Sequence, residues 1–292
     1  MTEFFLVDVF ADVPLTGNPL AVVPHADDLS VPRMRALARE FNQSETTFLI
    51  KPGDGGADWD LRSFTPAGAE VDGAGHNALG AWLWLADQGL TPDEPAVTMS
   101  QRIGGEVLAV EILRTPGEPT RIVMDQGVPE FGRRVPVAGR LSDALGLGPE
   151  HVAPDAEAQV VSTGVAHLMV PLADRAAVDA AVARSRELAA LLAEAGGEGC
   201  YVYTTAAGED GADAYTRFFN PTVGIDEDPA TGTAAGPLAV ALVRSGKAGS
   251  PVHIEQGHRL GRPSRIMVDV AGDRVRLSGS GVVTARGEIR LE

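Results

Sequence analysis

The sequence predicts an α+β protein of two pseudo-symmetric lobes, each a strand-rich, barrel-like sheet around a central helix. Three observations predict it: an internal repeat, short β-branched runs in both halves, and one helical run per half that is apolar on nearly every side. The repeat is read by superposing the halves. Residues 16–27 (TGNPLAVVPHAD) set on 163–174 (TGVAHLMVPLAD), an offset of 147, give six identities in 12 columns, where ordinary composition gives about one. An offset of 155 then sets Arg62, Phe64 and Pro66 on Arg217, Phe219 and Pro221, and Val97 and Gln101 on Val252 and Gln256. The blocks keep one order in both halves, so duplication explains them better than chance.

The strands come first. FFLVDVF, LAVVP, TTFLI and EVLAVEI carry the Val, Ile, Phe and Thr of extended chain. Ser30 stands as an N-cap before Pro32, and Met34, Leu37, Ala38 and Phe41 share one face of a helix ending near Asn42. From His76 to about Asp87 the run HNALGAWLWLAD is apolar nearly all round, which predicts a helix enclosed by other structure. Its counterpart runs from about Gly232 to Arg244. The Pro-, Gly- and Arg-rich stretch 128–140 reads as the linker, dividing the chain into lobes 1–128 and 129–292, with the last strand free to pack back on the first lobe.

Composition excludes several classes. With 292 residues, 44% hydrophobic and 22% charged, the chain can bury one large core or two ordinary ones. A formal charge of -16, with no basic patch, repels nucleic-acid phosphates and anionic lipid. The first apolar run, 4–10, follows Glu3 and contains Asp8, unlike a signal peptide, and no run approaches the roughly 20 apolar residues of a membrane span. A cytoplasmic address without nucleic-acid or membrane partners is expected. Cys200, the one cysteine, leaves no internal disulfide or multi-thiol metal site. The six histidines lack HExxH or Cys/His ligand spacing, and GxSxG and P-loop motifs are absent, so neither metal nor organic cofactor is expected.

The chemistry is expected where the two enclosed helices begin, at Gly73-Ala-Gly-His76-Asn and at Asp226-Glu-Asp228-Pro-Ala-Thr-Gly232-Thr233. Helix starts offer unpaired N–H groups and a partial positive charge, which suit carboxylates, and glycine admits a ligand close to the backbone. Two such starts facing each other across a cleft between lobes would make a small-molecule site. Blander readings stand beside this one. For a dinucleotide fingerprint, Gly73-Ala-Gly75 has its third glycine misplaced and no apolar strand before it. Asp228 reads equally as the cap of a helix opened by Pro229, and His76 as a plain helix-start histidine. Glu45, where a helix gives way to a strand, has the usual character of a solvated turn glutamate. The offset of 155 pairs it with Cys200, which reads as a buried strand residue; so sharp a difference marks a position where the halves divide labour.

The segments VDVFADVPLTGNPLAVV, SETTF, SFTP followed by AGH, EDPATGTAAGPLA and QGHRLGRPS, in this order, resemble those of the PhzF-like family of phenazine-biosynthesis isomerases, which share the fold of diaminopimelate epimerase. The resemblance spans nearly the whole chain. It implies Glu45 as the proton-transferring base, with His76 and Asp228 orienting or protonating the substrate. Asn18, Gly75, Gly232 and Thr233 would be its remaining substrate-binding positions, the last two presenting N–H groups to a carboxylate. It also implies a homodimer and a cofactor-independent reaction. The related epimerases use two thiols, which one cysteine cannot supply. The best-known family reaction isomerises trans-2,3-dihydro-3-hydroxyanthranilate, moving a proton between ring carbons, a task for one partly desolvated carboxylate. Thr233 stands where many members have serine, and SFTPAGAEVDGAGH is one residue longer than the family pattern, with Asp72 and Gly73 where apolar residues are frequent. Isomerisation or epimerisation of another amino or hydroxy acid, and a binding protein without turnover, are the alternative functions.

Overall fold

The computed structural model describes residues 1–53, 55–153, 155–206 and 211–291. They form two compact units, Met1–Asp125 with Ser278–Glu292, and Gln126–Leu277. Unit 1 runs β1 (Thr2–Val9), β2 (Asn18–Val23), α1 (Val31–Phe41), β3 (Thr46–Ile50), β4 (Trp59–Phe64), β5 (Glu70–Val71), α2 (His76–Asp87), β6 (Ala96–Ile103), β7 (Glu106–Leu113) and β8 (Arg121–Asp125). Unit 2 continues with β9 (Glu130–Pro136), α3 (Arg140–Ala144), β10 (Glu157–Ser162), β11 (Ala166–Pro171), α4 (Arg175–Ala180), α5 (Ser185–Ala195) and β12 (Gly199–Thr204). It is completed by β13 (Ala214–Asn220), β14 (Ile225–Asp228), α6 (Gly232–Arg244), β15 (Val252–Gln256), β16 (Ser264–Ala271) and most of β17 (Arg274–Gly279). The chain then returns to unit 1 as β18 (Gly281–Ile289), which pairs antiparallel with β1.

The α+β class is what the sequence predicts, and the duplication is written into the ladders. In unit 1 the pairs β1–β2, β2–β3, β3–β4, β4–β6 and β6–β7 are antiparallel, parallel, antiparallel, parallel and antiparallel. In unit 2 the pairs β10–β11, β11–β12, β12–β13, β13–β15 and β15–β16 follow the same succession. Even the short β5 and β14 occupy matching places, antiparallel on β4 and β13.

Each unit encloses one helix. In α2, ten consecutive residues from His76 to Leu85 are buried, so its apolar surface meets strands all round: β1, β2, β3, β8 and β18. Gly80 permits the closest approach, since a Cβ there would lie 2.6 Å from Leu20 and 2.7 Å from Val9. Helix α6 packs likewise on β10, β11, β15 and β16. Its Pro237 has no N–H to donate to the carbonyl of Thr233, and the neighbouring carbonyl of Gly232 accepts from the Gln126 side chain at 3.0 Å.

The outer layers are amphipathic. Met34, Leu37 and Ala38 of α1 are buried with Phe48 and Phe64. The helix begins after Ser30 and stops at a left-handed Asn42 (φ 50°), although the Ser30 side chain makes no capping bond and its carbonyl alone accepts from Arg33 and Met34. Residues of α3, α4 and α5, among them Leu141, Val178, Leu188 and Leu192, cover Val160, Leu168, Val170 and Val202 in unit 2. The stretch 128–140, expected to be a linker, instead contains β9, paired antiparallel with β10. Its side chains are mostly exposed, giving it the composition of a connection, while the backbone groups that face β10 are paired in the ladder. Among the described residues no helix is long and apolar enough to cross a membrane.

Candidate active site

Glu45 is the last residue before β3, and His76 is the first residue of α2. The fold brings them together: His76 Nδ1 lies 2.8 Å from Glu45 Oε2, with side chains only 8% and 17% exposed. The approach is close but poorly aligned. Among the described residues Glu45 Oε2, itself enclosed, accepts no well-directed hydrogen bond, so no directed bond fixes this oxygen in place. Asn18 opens β2, fully buried, and accepts a long bond of 3.4 Å from Ser44, Glu45's neighbour. Gly75, the N-cap residue of α2, donates its N–H to Asn77 Oδ1 at 2.7 Å. The Asn77 amide in turn donates to the carbonyl of Gly73 (3.0 Å) and to Ser63 Oγ (3.1 Å). Asn18, Glu45, Gly75 and His76 thus share one locality, whose glycine loop is pinned by Asn77.

In unit 2, Asp228 ends β14 and Gly232 and Thr233 are the first two residues of α6. Thr231 is the N-cap residue, so the reading of Asp228 as cap of a helix opened by Pro229 does not hold. Instead the Asp228 carboxylate accepts the Thr231 hydroxyl at 2.5 Å. Gln256, on β15, binds this turn through three bonds: its amide donates to the Asp228 carbonyl (2.7 Å) and Thr231 Oγ1 (3.1 Å), and its Oε1 accepts from the Thr231 N–H (3.2 Å). Tyr201 completes the network by donating to Gln256 Oε1 at 2.8 Å. Burial, above all, pushes the Tyr201 hydroxyl well above its ordinary pKa, with the charge of Asp228 adding to the effect, so it remains a donor. The N–H groups of Gly232 and Thr233, being first in the helix, have no intrahelical acceptor. Thr233 Oγ1 lies 3.2 Å from His167 Nε2.

Sequence reasoning missed Asn77, Thr231, Tyr201, Gln256 and His167 as parts of these two localities. A signal existed for Gln256: the offset of 155 pairs it with Gln101, an amide kept in both copies. The first copy does other work, accepting from the indole of Trp82 at 2.8 Å. The pairing of Glu45 with Cys200 is also corrected. Thr46 stands opposite Ala21 and Phe64, and Cys200 stands opposite Leu168 and Phe219, so by register Cys200 matches Thr46. Glu45 therefore matches Gly199. A constant offset fails here because the loops that flank the matched strands differ in length. Gly199 must stay small, since a Cβ there would come 2.3 Å from the Phe218 ring. Cys200 is fully buried, and burial pushes its thiol far above the ordinary range, as expected of an inert strand residue.

Among the described residues no cluster of three or more His, Cys, Asp or Glu could hold a metal ion. A surface hollow of about 400 Å³ in unit 2, lined by Arg140, Asp143, Arg184 and Arg186, contains none of the residues above. Its Arg140 is already committed to Glu194 at 2.9 Å.

Curated relatives of the chain are named as isomerases. The family model for phenazine biosynthesis-like protein matches residues 7–287. The trans-2,3-dihydro-3-hydroxyanthranilate isomerase of Pseudomonas fluorescens is 37% identical, with 100% of each chain covered. Among solved structures, a predicted epimerase from Pseudomonas aeruginosa matches with a TM-score of 0.84 and 33% identity over 100% of both chains. A PhzF-family phenazine biosynthesis protein from Bacillus anthracis, at 24% identity over 99% of both chains, shares the fold with a TM-score of 0.89. The chain belongs to the phenazine biosynthesis-like family of isomerases.

Proposed function

We propose that the chain is a trans-2,3-dihydro-3-hydroxyanthranilate isomerase in which Glu45 moves the proton, working as a cytoplasmic, cofactor-independent homodimer. The observation that carries the catalytic assignment is the buried Glu45–His76 contact, in which a carboxylate oxygen faces an imidazole at 2.8 Å yet accepts no well-directed bond. The 37% identity over full length to an isomerase of that name supports the substrate.

Glu45, as carboxylate, takes the proton from one ring carbon while the electron pair shifts into the conjugated system. The resulting carboxylic acid returns a proton to another ring carbon, and the enol so formed tautomerises to the ketone. One group serves as base and then acid, so no net proton is consumed. His76, beside Glu45, contacts the substrate's polar groups and helps orient or protonate it. The substrate carboxylate suits the free N–H groups of Gly232 and Thr233, where the helix dipole favours an anion. Asn18 and Gly75 shape the surroundings of Glu45, and Asp228, fixed by Thr231, orients the substrate.

The test is turnover of the dihydro-hydroxyanthranilate followed by its ultraviolet spectrum, with deuterium uptake from solvent. Glu45→Gln should retain fold and ligand binding but lose about 10² to 10⁴ in rate, and Asp228→Asn should lose less, because an amide keeps part of the contact. A folded Glu45→Gln protein with more than about a tenth of wild-type turnover assigns the chemistry elsewhere. Loss of activity on exhaustive chelation, restored by a divalent ion, would overturn cofactor independence, and a light-scattering mass near 30.4 kDa would overturn the dimer. A second reading, the same base acting on another amino or hydroxy acid, is favoured by the 33% identity to the predicted epimerase. Solvent deuterium entering such an acid, with none entering the ring substrate, would select it.

A further inference from the structure

We propose that His167 is a positioning residue: a neutral imidazole held in one tautomer, which fixes the Thr233 hydroxyl as a hydrogen-bond donor to the ligand. The inference rests on the reading that the start of α6 binds substrate.

The tautomer follows from a backbone group that can only donate. The N–H of Gly199 points at His167 Nδ1 at 3.2 Å, so Nδ1 accepts and the ring proton of the neutral imidazole resides on Nε2. Nε2 is the atom 3.2 Å from Thr233 Oγ1; it donates, and the threonine oxygen accepts. The hydroxyl hydrogen of Thr233 is then free to donate elsewhere. A threonine inside a helix commonly gives that hydrogen to the carbonyl four residues back, which here is Pro229, but among the described residues Thr233 Oγ1 makes no bond to that carbonyl and its hydrogen-bond partner is His167. Thr233 itself is only partly buried at the second position of α6, beside the free N–H groups of the first turn. One hydroxyl and two amides would therefore serve the same anionic ligand.

The imidazole has no freedom to do otherwise. It is 2% exposed and meets the edge of Phe218 with ring centres 5.0 Å apart at 87°. A Cβ at Gly199 would strike Phe218 and lie 3.1 Å from Nδ1, so that glycine lets the backbone donate to the ring. Burial lowers the pKa of His167 to about 4, and the ring stays neutral under ordinary conditions. In the first repeat, the offset of 147 puts Leu20 in the place of His167, and the helix position matching Thr233 is Asn77, held by Ser63 and Gly73. Each unit thus fixes the second residue of its enclosed helix with polar partners, and in unit 2 an imidazole does it.

Two measurements on the whole chain test this. Ring ¹⁵N spectra should show Nδ1 bare and Nε2 protonated from about pH 5 to 8, with the Nε2–H signal moving in Thr233→Val. An Nδ1–H tautomer, or a ring that titrates in that range, overturns the lock whatever the substrate. The second is affinity for 3-hydroxyanthranilate, an aromatic analogue with the same polar groups, together with KM and kcat on the dihydro compound. His167→Phe should weaken analogue binding and raise KM about tenfold, the size of one hydrogen bond, with kcat changed less. His167→Gln, whose amide can still donate to Thr233, should recover part of the loss. In the Thr233→Val background His167→Phe should have no further effect; an undiminished effect there shows a merely structural histidine and overturns the proposal. Should His167→Phe fail to fold, the ring spectra of wild type and Thr233→Val decide. Wild type that binds no analogue at all defeats the substrate reading separately, because the ring spectra do not depend on it.

Discussion

Glu45 and Asp228, the carboxylates beside the two enclosed helices, keep different company. Glu45 faces an imidazole and accepts no well-directed bond, whereas Asp228 is tied by a 2.5 Å bond from Thr231. A loosely held, largely buried carboxylate suits proton exchange, and a fixed one suits orientation. The sequence singled out both, along with the helix starts, because glycine and acid clusters before apolar runs are local features. It could not single out His167 or Tyr201, whose roles arise from partners 66 and 55 residues away. His167 also carries a consequence for stability. Its folded pKa of about 4 lies below the ordinary 6.5, so the unfolded chain binds a proton first as pH falls. Its contribution is whole above about pH 6.5 and is lost progressively toward pH 4. Between pH 7 and pH 5 this amounts to about 2 kcal/mol. Urea unfolding of wild type and His167→Gln at both pH values measures it; an equal acid loss in the two proteins would contradict the assignment.

At the scale of elements, the duplicated strands β4 and β13 carry the same ion pair in two environments. Arg62 holds Glu70 through two bonds of 2.7 and 2.8 Å, with both side chains about one-third exposed. Arg217 holds Glu227 with the same fork, but at 7% and 13% exposure. Its remaining nitrogen donates to the carbonyls of Val178, Asp179 and Ala181, where α4 ends. Arg62→Ala should therefore cost under about 1 kcal/mol, since water competes for an exposed pair. Arg217→Ala should cost about 3–5 kcal/mol, because it strands a largely buried carboxylate and removes the donor to the carbonyls where α4 ends. Denaturant unfolding of the two variants compares them, and equal losses would refute the distinction. The motifs LRSFTP and TRFFNP announce the duplication but not which copy is buried. That depends on α4, an element inserted only in unit 2. The exposed β9 was illegible for a related reason: its register comes from β10, not from any alternation of its own.

Across the whole molecule, unit 1 is closed by its most distant segment. Residues 2–9 pair with residues 281–289, and α2 packs on the same strand. Removing residues 278–292 would leave the backbone of β1 unpaired on that side and expose part of an otherwise buried helix. The shortened chain should aggregate or lose its cooperative thermal transition; a transition within a few degrees of the full chain's would show that β18 is dispensable. Such long-range closure also means that unit 1 cannot be complete until the last strand is available.

Helix faces, strand runs, the duplication and the family motifs were determined by the sequence alone, because each is a pattern among neighbours or between two copies of one pattern. The pairing of Glu45 with Gly199 rather than Cys200, the burial of Arg217 but not Arg62, and the tautomer of His167 were decided only in the tertiary structure. Each depends on strand register or on low-dielectric surroundings built by residues distant in the chain, and physical environment of that kind has no local record in the order of amino acids.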